Sequence, residues 1–497
     1  MFSERSAHSA ASPPGRASSR GRSALTRMTA RAVLPVAAVG GLAALSMAAP
    51  AATVAVSAAS AATYVAAVRP VPDTGGPVRD AKQLPAPAPL TIAQCEAELK
   101  IKCYTPVQYR VAYDLNPLYS GQATGRSITG AGETIVIVDS FGSPTIRHDL
   151  KTFDAEFGFP NPDLQIEQFG TIPPFDPTNA TVVGWAEETT LDVEYAHSIA
   201  PGAKIVLAET PVAETEGVTG LPEMMNAEQS LINQGVGDVI SQSFGATENT
   251  FPGFSSGNFS SLLDLRYAFK DAAAHRVTVL AGSGDEGATN FESDGATLYP
   301  FRVNSWPSSD PLVTSVGGTM LNLNQAGDKL SPDTVWNDGF GASGGGTSAV
   351  FSRPFYQIGV SRVVGHSRGT PDISMSAAVN GGAWVYMSFA GIEKPGVSNP
   401  GWYIIGGTSE ATPIMSGIVA LADQQARHRL GLINPALYTL GALQKAGVPN
   451  TGIVSVTSGD NTFNGVTGFD ATAGYNLATG WGTIDAAKFV PALARLG

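Results

Sequence analysis

The sequence predicts an α/β protein with a largely parallel central sheet flanked by helices. Short apolar runs of strand length alternate with helix-length runs between residues 133 and 316, the spacing of βαβ units. Hydrophobic residues make up 43% of the 497 and charged residues only 14%, which supplies a sizeable core and a nearly neutral surface. Glycine (56) and proline (34) are abundant, as suits a loop-rich α/β chain better than a helical bundle.

Taken in order, residues 1–31 are rich in Ser, Ala and Arg and have no core-forming pattern. An apolar run from Ala32 to Pro50 follows Arg27 and Arg31 and leads into small residues, the pattern of a signal peptide within residues 1–50. A membrane anchor is the alternative, disfavoured by Pro35 and two glycines inside the run. Residues 51–103 read as an Ala/Pro-rich linker or short pro-segment ending in the only two cysteines, Cys95 and Cys103. These two form one disulfide outside a reducing compartment or stay as free thiols. The folded domain spans 104–497. Glu133 to Asp139 is a buried strand ending in a carboxylate, and 145–157 a helix. Trp185 to Ala200 is a helix, followed by the strand Lys204 to Ala208. A helix over 221–234 leads to the strand Asp238 to Ser243. A helix from Leu262 to His275 leads to Val277 to Ala281, and Leu312 to Val316 is a further strand. In such sheets functional groups gather at the carboxyl ends of strands, where Asp139, Ser243, Asp285 and Ser409 fall.

Charge narrows the partners. The net charge is −12, and residues 1–63 hold six Arg and one acid, which leaves −17 for the rest. That excludes nucleic acid and anionic membranes as natural partners. No Cys/His cluster has zinc spacing.

The stretch with the most chemistry is Gly406-Gly407-Thr408-Ser409, between a strand-like run (Trp402 to Ile405) and an apolar helix. A serine there has an exposed hydroxyl on a sharp turn, with its own N–H placed for an oxyanion. By itself it is equally a helix N-cap. Activation needs a partner. Of six histidines, His197 and His275 read as structural, and only His148, nine residues after Asp139, competes. Carboxylates are better placed. Glu188 and Asp192 are four apart on one face of an apolar helix, where like charges raise one pKa and share a proton. Asp285 follows a buried strand in a glycine-bracketed turn, where it is either an Asx-turn aspartate or a protonated acid that donates to an oxyanion.

These residues carry a resemblance. The chain resembles the sedolisin family, serine-carboxyl peptidases with a subtilisin-like fold. Three motifs occur in the family's order: Glu188-Thr189-Thr190-Leu191-Asp192 leading to Ala200-Pro201-Gly202-Ala203, then Ser283-Gly284-Asp285-Glu286-Gly287, then Gly407-Thr408-Ser409 with Pro413. Tyr104-Thr105-Pro106, Ser241 to Gly245, Val316 to Thr319, Gly344 to Gly346 and Pro371 to Ser374 are also similar.

The resemblance implies a secreted, acid-active peptidase acting on peptides or proteins. In it Ser409 is the nucleophile, Glu188 the base, Asp192 its partner and Asp285 the oxyanion donor. Ser243, Phe244, Gly245, Gly344 and Gly345 would lie along the substrate backbone. The family's calcium site is not expected here, because Ser455 and Asn476 replace its ligand aspartates, with Asp460 or Asp470 as the only nearby substitutes. Only some fifty residues separate the signal pattern from the domain, against the family's long propeptide. Two rivals remain: a Ser-His-Asp peptidase using Asp139, His148 and Ser409, and a secreted non-catalytic binding protein on the same fold.

Overall fold

The computed structural model describes residues 88–497. The leader, the signal pattern and most of the linker lie outside the described residues. The first packed element is a helix, Ile92–Glu98, whose Cys95 is disulfide-bonded to Cys103. Ile92, Cys95, Leu99 and Ile101 all join the main hydrophobic core.

The centre is an eight-stranded sheet. Its strands are β1 (Thr134–Ser140), β2 (Asp163–Gln168), β3 (Lys204–Thr210), β4 (Val239–Gln242), β5 (Thr278–Gly282), β6 (Thr314–Met320), β7 (Thr334–Val335) and β8 (Ile373–Ser376). Their order is β7-β6-β5-β4-β1-β3-β2, with β8 also on β6. Every pairing is parallel except β7 on β6. The order turns back at β1, so β3 and β2 lie on one side and β4, β5 and β6 on the other. A crevice at such a switch point, outside the carboxyl ends of the strands, is where α/β sheets bind ligands.

The helices that matter are α1 (Pro106–Ala112), α2 (Ile146–Phe157), α3 (Ala180–Ile199), α4 (Leu221–Asn233), α5 (Tyr267–Ala274) and α6 (Thr408–Ala426). The α3 helix starts five residues earlier than its apolar pattern indicates. Asn179 supplies the reason, its side chain accepting from the N–H groups of Thr181 (3.0 Å) and Val182 (3.3 Å). The helix expected over Leu262 to His275 is broken into Ser260–Leu263, a 3-10 turn at Asp264–Arg266, and α5. Arg266 in that break reaches Asp310 with two hydrogen bonds of 2.5 and 2.9 Å.

The strand before Ser409, Gly401–Ile405, belongs to a separate three-stranded sheet with Gly382–Met387 and Cys103–Tyr104. α3 and α6 are packed against one another at Gly417. A β-carbon on that glycine would stand 2.7 Å from Ile199. Both helices are enclosed on all sides: every residue from Val182 to Ile199 and from Thr408 to Asp423 is buried.

Candidate active site

The turn into α6 depends on glycine. Gly407 is the N-cap at φ 124°, a left-handed conformation that a side chain resists, and its N–H donates to the Ala377 carbonyl at 2.6 Å. Gly406 is also confined, since a β-carbon there would stand 2.8 Å from Ala377 O and Val379 N. Thr408 and Ser409 then occupy the first turn. Pro413 lacks the N–H that would bond the Ser409 carbonyl in a regular helix. The turn is as sharp as the sequence implies, but the Ser409 hydroxyl is buried rather than exposed. α6 is a central helix covered on every side, and its first turn is covered with the rest. Among the described residues the Ser409 Oγ has no hydrogen-bond partner.

Asp285 is fixed by the residue next to that serine. Its Oδ1 accepts from the Thr408 N–H (2.9 Å) and hydroxyl (2.7 Å). The Thr408 Oγ1 in turn accepts from the Gly284 N–H at 3.2 Å. The turn is clipped by the glycine run: Gly344 N–H donates to Gly284 O (2.7 Å), and the Ser283 hydroxyl to Gly344 O (2.7 Å). A β-carbon on Gly344 would stand 2.1 Å from Ser283 O, and one on Gly345 2.1 Å from Leu477 O.

Asp192 is held from the neighbouring strand. The Ser243 hydroxyl, just past β4, donates to its Oδ1 at 2.9 Å. Asp192 has no exposed surface. Burial pushes its pKa well above the usual carboxylate range, and the charges of Asp139 and Glu188 push it further. Asp139, at the end of β1, is raised as well, chiefly by burial. Glu188 is 2% exposed on the same helix. β4 and β5 are adjacent parallel strands, about 4.8 Å apart. One end pins Asp192 through Ser243, and the other pins Thr408 through Asp285. Asp192 and Asp285, the latter holding the residue before Ser409, are therefore fixed at the carboxyl ends of two neighbouring strands beside the switch point, with Glu188 about one helical turn before Asp192.

The remaining residues named from sequence fall as follows. Phe244 is fully buried in the core on the α4 side of the sheet, and a β-carbon on Gly245 would stand 3.1 Å from Trp306 O. His148 is exposed on α2 with its ring against Tyr386, and its charge is felt by Asp149 rather than Asp139. His197 is fully buried, 3.4 Å from Asp154 and 3.1 Å from Pro160 O, its pKa lowered by burial to about 4. Sequence reading passed over Thr408 and Glu410. An acid one residue after Ser409 reads as a first-turn residue favoured by the helix dipole. In the structure it is fully buried near Tyr109 and Ser376, its pKa pushed by burial to about 8.

The sequence profile of the subtilase family matches residues 179–436, just over half of the chain. Kumamolisin from Bacillus sp. (strain MN-32) is 28% identical over 404 residues, 78% of this chain and 63% of that protein. Sedolisin from Pseudomonas sp. (strain 101) is 30% identical over 395 residues, 78% of this chain and 60% of that protein. The chain thus spans about three fifths of the length of these relatives. Among solved structures, Pseudomonas sedolisin, a serine-carboxyl proteinase complexed with two molecules of pseudo-iodotyrostatin, superposes with a TM-score of 0.64 at 29% identity. That match covers 78% of this chain and 97% of the other. With the profile lying over α3, β5 and α6, and the whole sedolisin chain matched in three dimensions, this chain belongs to the subtilase family, in its sedolisin group.

Proposed function

We propose that the protein is an acid-active serine-carboxyl peptidase that hydrolyses peptide bonds through Ser409, Glu188 and Asp192. The observation that carries this reading is the pinning of Asp192 and of Thr408 to adjacent strand ends, in a buried site with no histidine among the described contacts. Asp192, its pKa well raised, keeps its proton and offers it to Glu188, which leaves the negative charge on Glu188. Glu188 takes the Ser409 proton as the hydroxyl attacks the carbonyl, and returns it to the leaving amine. Asp285 receives both Thr408 donors on Oδ1, and in this reading it carries an acid proton on Oδ2 that it donates to the oxyanion together with the Ser409 N–H. The Ser243 to Gly245 and Gly344 to Gly346 segments, bonded to Asp192 and to the Asp285 turn, serve an extended substrate in this reading.

The reading needs no metal. Ser455 donates to the Gln444 side chain at 3.3 Å. The Asn476 carboxamide oxygen accepts from the N–H groups of Ala478 (3.0 Å) and Thr479 (2.9 Å). Ser455 is bonded to a side chain and Asn476 to the backbone, and neither brings the negative charge that a hard cation wants. The apolar leader fits secretion, and among the described residues no helix is long and apolar enough to cross a membrane.

The test is incubation of the purified protein with a peptide library between about pH 3 and 8, with cuts mapped by mass spectrometry. Activity is expected to peak in acid and to fade toward neutrality as Asp285 loses the proton it donates. Ser409→Ala and Glu188→Gln are each expected to abolish turnover and leave the fold intact. A neutral or alkaline optimum with Glu188→Gln still active overturns the carboxylate mechanism.

A further inference from the structure

Next to the catalytic carboxylates, the carboxyl edge of the sheet holds a cavity of about 300 Å³. Its lining includes Phe141, Gln168, Pro173, Phe175, Val182 and Glu209. Glu209 forms its polar floor. It is the register partner of Asp139 across β3 and β1, and parallel partners direct their side chains to the same face. The charge of Glu209 acts on Asp139, and that of Asp139 on Asp192. Glu209, Asp139, Asp192 and Glu188 thus form a series of interacting carboxyls that leads from the cavity to the proposed base.

The cavity is built around that carboxyl. Glu209 is 5% exposed, and Gln168 donates to its Oε2 at 2.9 Å. Its Oε1 lies against Gly142, at φ 72°, where a β-carbon would stand 2.0 Å from it. Only glycine leaves the carboxyl this room. The preceding residue, Phe141, sits at φ 64°, a conformation costly for a bulky side chain. Pro173, Pro174 and Phe175 make stiff apolar walls.

Two distances locate the cavity relative to the chemistry. β3 lies two strands from β4, or about 10 Å. Val182 lies six residues before Glu188, about 9 Å along α3. An extended peptide advances about 3.3 Å per residue, so either path corresponds to about three residues.

We propose that this cavity is a substrate subsite that takes a lysine or arginine side chain about three residues from the scissile bond, with Glu209 binding its cationic head. The inference rests on the peptidase reading above. The aliphatic stem packs on Pro173 and Phe175 while the head reaches Oε1. Burial raises the Glu209 carboxyl while the Gln168 bond and the charge of Arg147 lower it, and a substrate cation favours its ionised form further.

The test compares lysine with norleucine, which keeps the stem and removes the charge. Each is placed in turn at the three positions on either side of the cleaved bond. The kcat/KM is measured for the unaltered protein, Glu209→Gln and Val182→Trp, with folding checked by thermal melting. The unaltered protein is expected to prefer lysine at one position by about tenfold or more, the scale of one charge-assisted hydrogen bond. Glu209→Gln should bring that ratio within about twofold of unity. Val182→Trp should fill the cavity and remove cleavage of the lysine peptide at the same position, and it carries the test if Glu209→Gln does not fold. A ratio unchanged in folded variants, or no position that prefers lysine, overturns the subsite alone. No cleavage of any peptide by the unaltered protein overturns the peptidase reading and the subsite with it.

Discussion

Thr408 and Ser243 hold two of the carboxyl groups that the proposed mechanism uses. Each is a hydroxyl donating to a buried Asp, and each Asp lies far off in sequence. Thr408→Val keeps the shape of the side chain and removes the donor. Asp285 then loses one of its two bonds on Oδ1, and Gly284 N–H loses its acceptor. The expected cost is roughly 1–3 kcal/mol of stability for groups left short in a buried site. An oxyanion donor acts in the transition state and little in the ground state. The kinetic effect should therefore be a fall of about tenfold or more in kcat with KM nearly unchanged, read from steady-state kinetics in acid. A large rise in KM at constant kcat would place Asp285 in substrate binding instead.

The contact between α3 and α6 sets the geometry of the site at the level of elements. The two helices carry Glu188, Asp192 and Ser409, and Gly417 lets them approach until a β-carbon would meet Ile199 at 2.7 Å. Gly417→Leu must push the helices apart, because both are packed on their other faces and have nowhere to yield. Overpacking of this kind costs typically 1–3 kcal/mol. A lower melting temperature is expected, together with a loss of activity larger than the loss of folded protein, since a displacement of about 1 Å at a reacting centre can cost 10²-fold. Normal activity in a folded Gly417→Leu would mean that the helix contact does not position the serine.

At the scale of the whole molecule, the unusual feature is the number of buried carboxyl groups that burial raises far more than any nearby cation lowers them. Burial pushes Glu228, Glu410 and Asp423 to about 8, and Asp154 and Glu286 to about 7. In the unfolded chain these groups lose their protons near pH ~4. Between about pH 4 and 8 the folded state holds more protons than the unfolded state, so stability falls as pH rises through that window. The stabilisation is fully present below about pH 4 and lost by about pH 8, the reverse of acid denaturation by paired carboxylates. A melting temperature at least about 10 °C higher at pH 4.5 than at pH 8 is expected, since each pKa unit on one group corresponds to about 1.4 kcal/mol. Calorimetry across that range measures it, and a flat or rising profile would mean that these groups ionise in the folded protein.

What the sequence alone determined was local. The Glu188/Asp192 pair needs only the helical period, the Gly406-Gly407 turn only the φ that glycine permits, and the parallel strands only their apolar runs between helices. Together with three ordered motifs these placed the fold and the four residues of the proposed chemistry. Tertiary structure decided everything that depends on what lies opposite. The bond from Ser243 to Asp192 crosses 51 positions of sequence, and the partnership of Asp139 with Glu209 exists only through the register of β1 on β3. The antiparallel pair Gly382–Met387 and Gly401–Ile405 left no hairpin signal, because a loop of thirteen residues separates its strands. Burial of Ser409 and of Glu410 was illegible for the same reason. A helix start looks the same in sequence at the surface and in the core, and it is the packing of α3, the Asp285 turn and Tyr109 of α1 around it that removes the water.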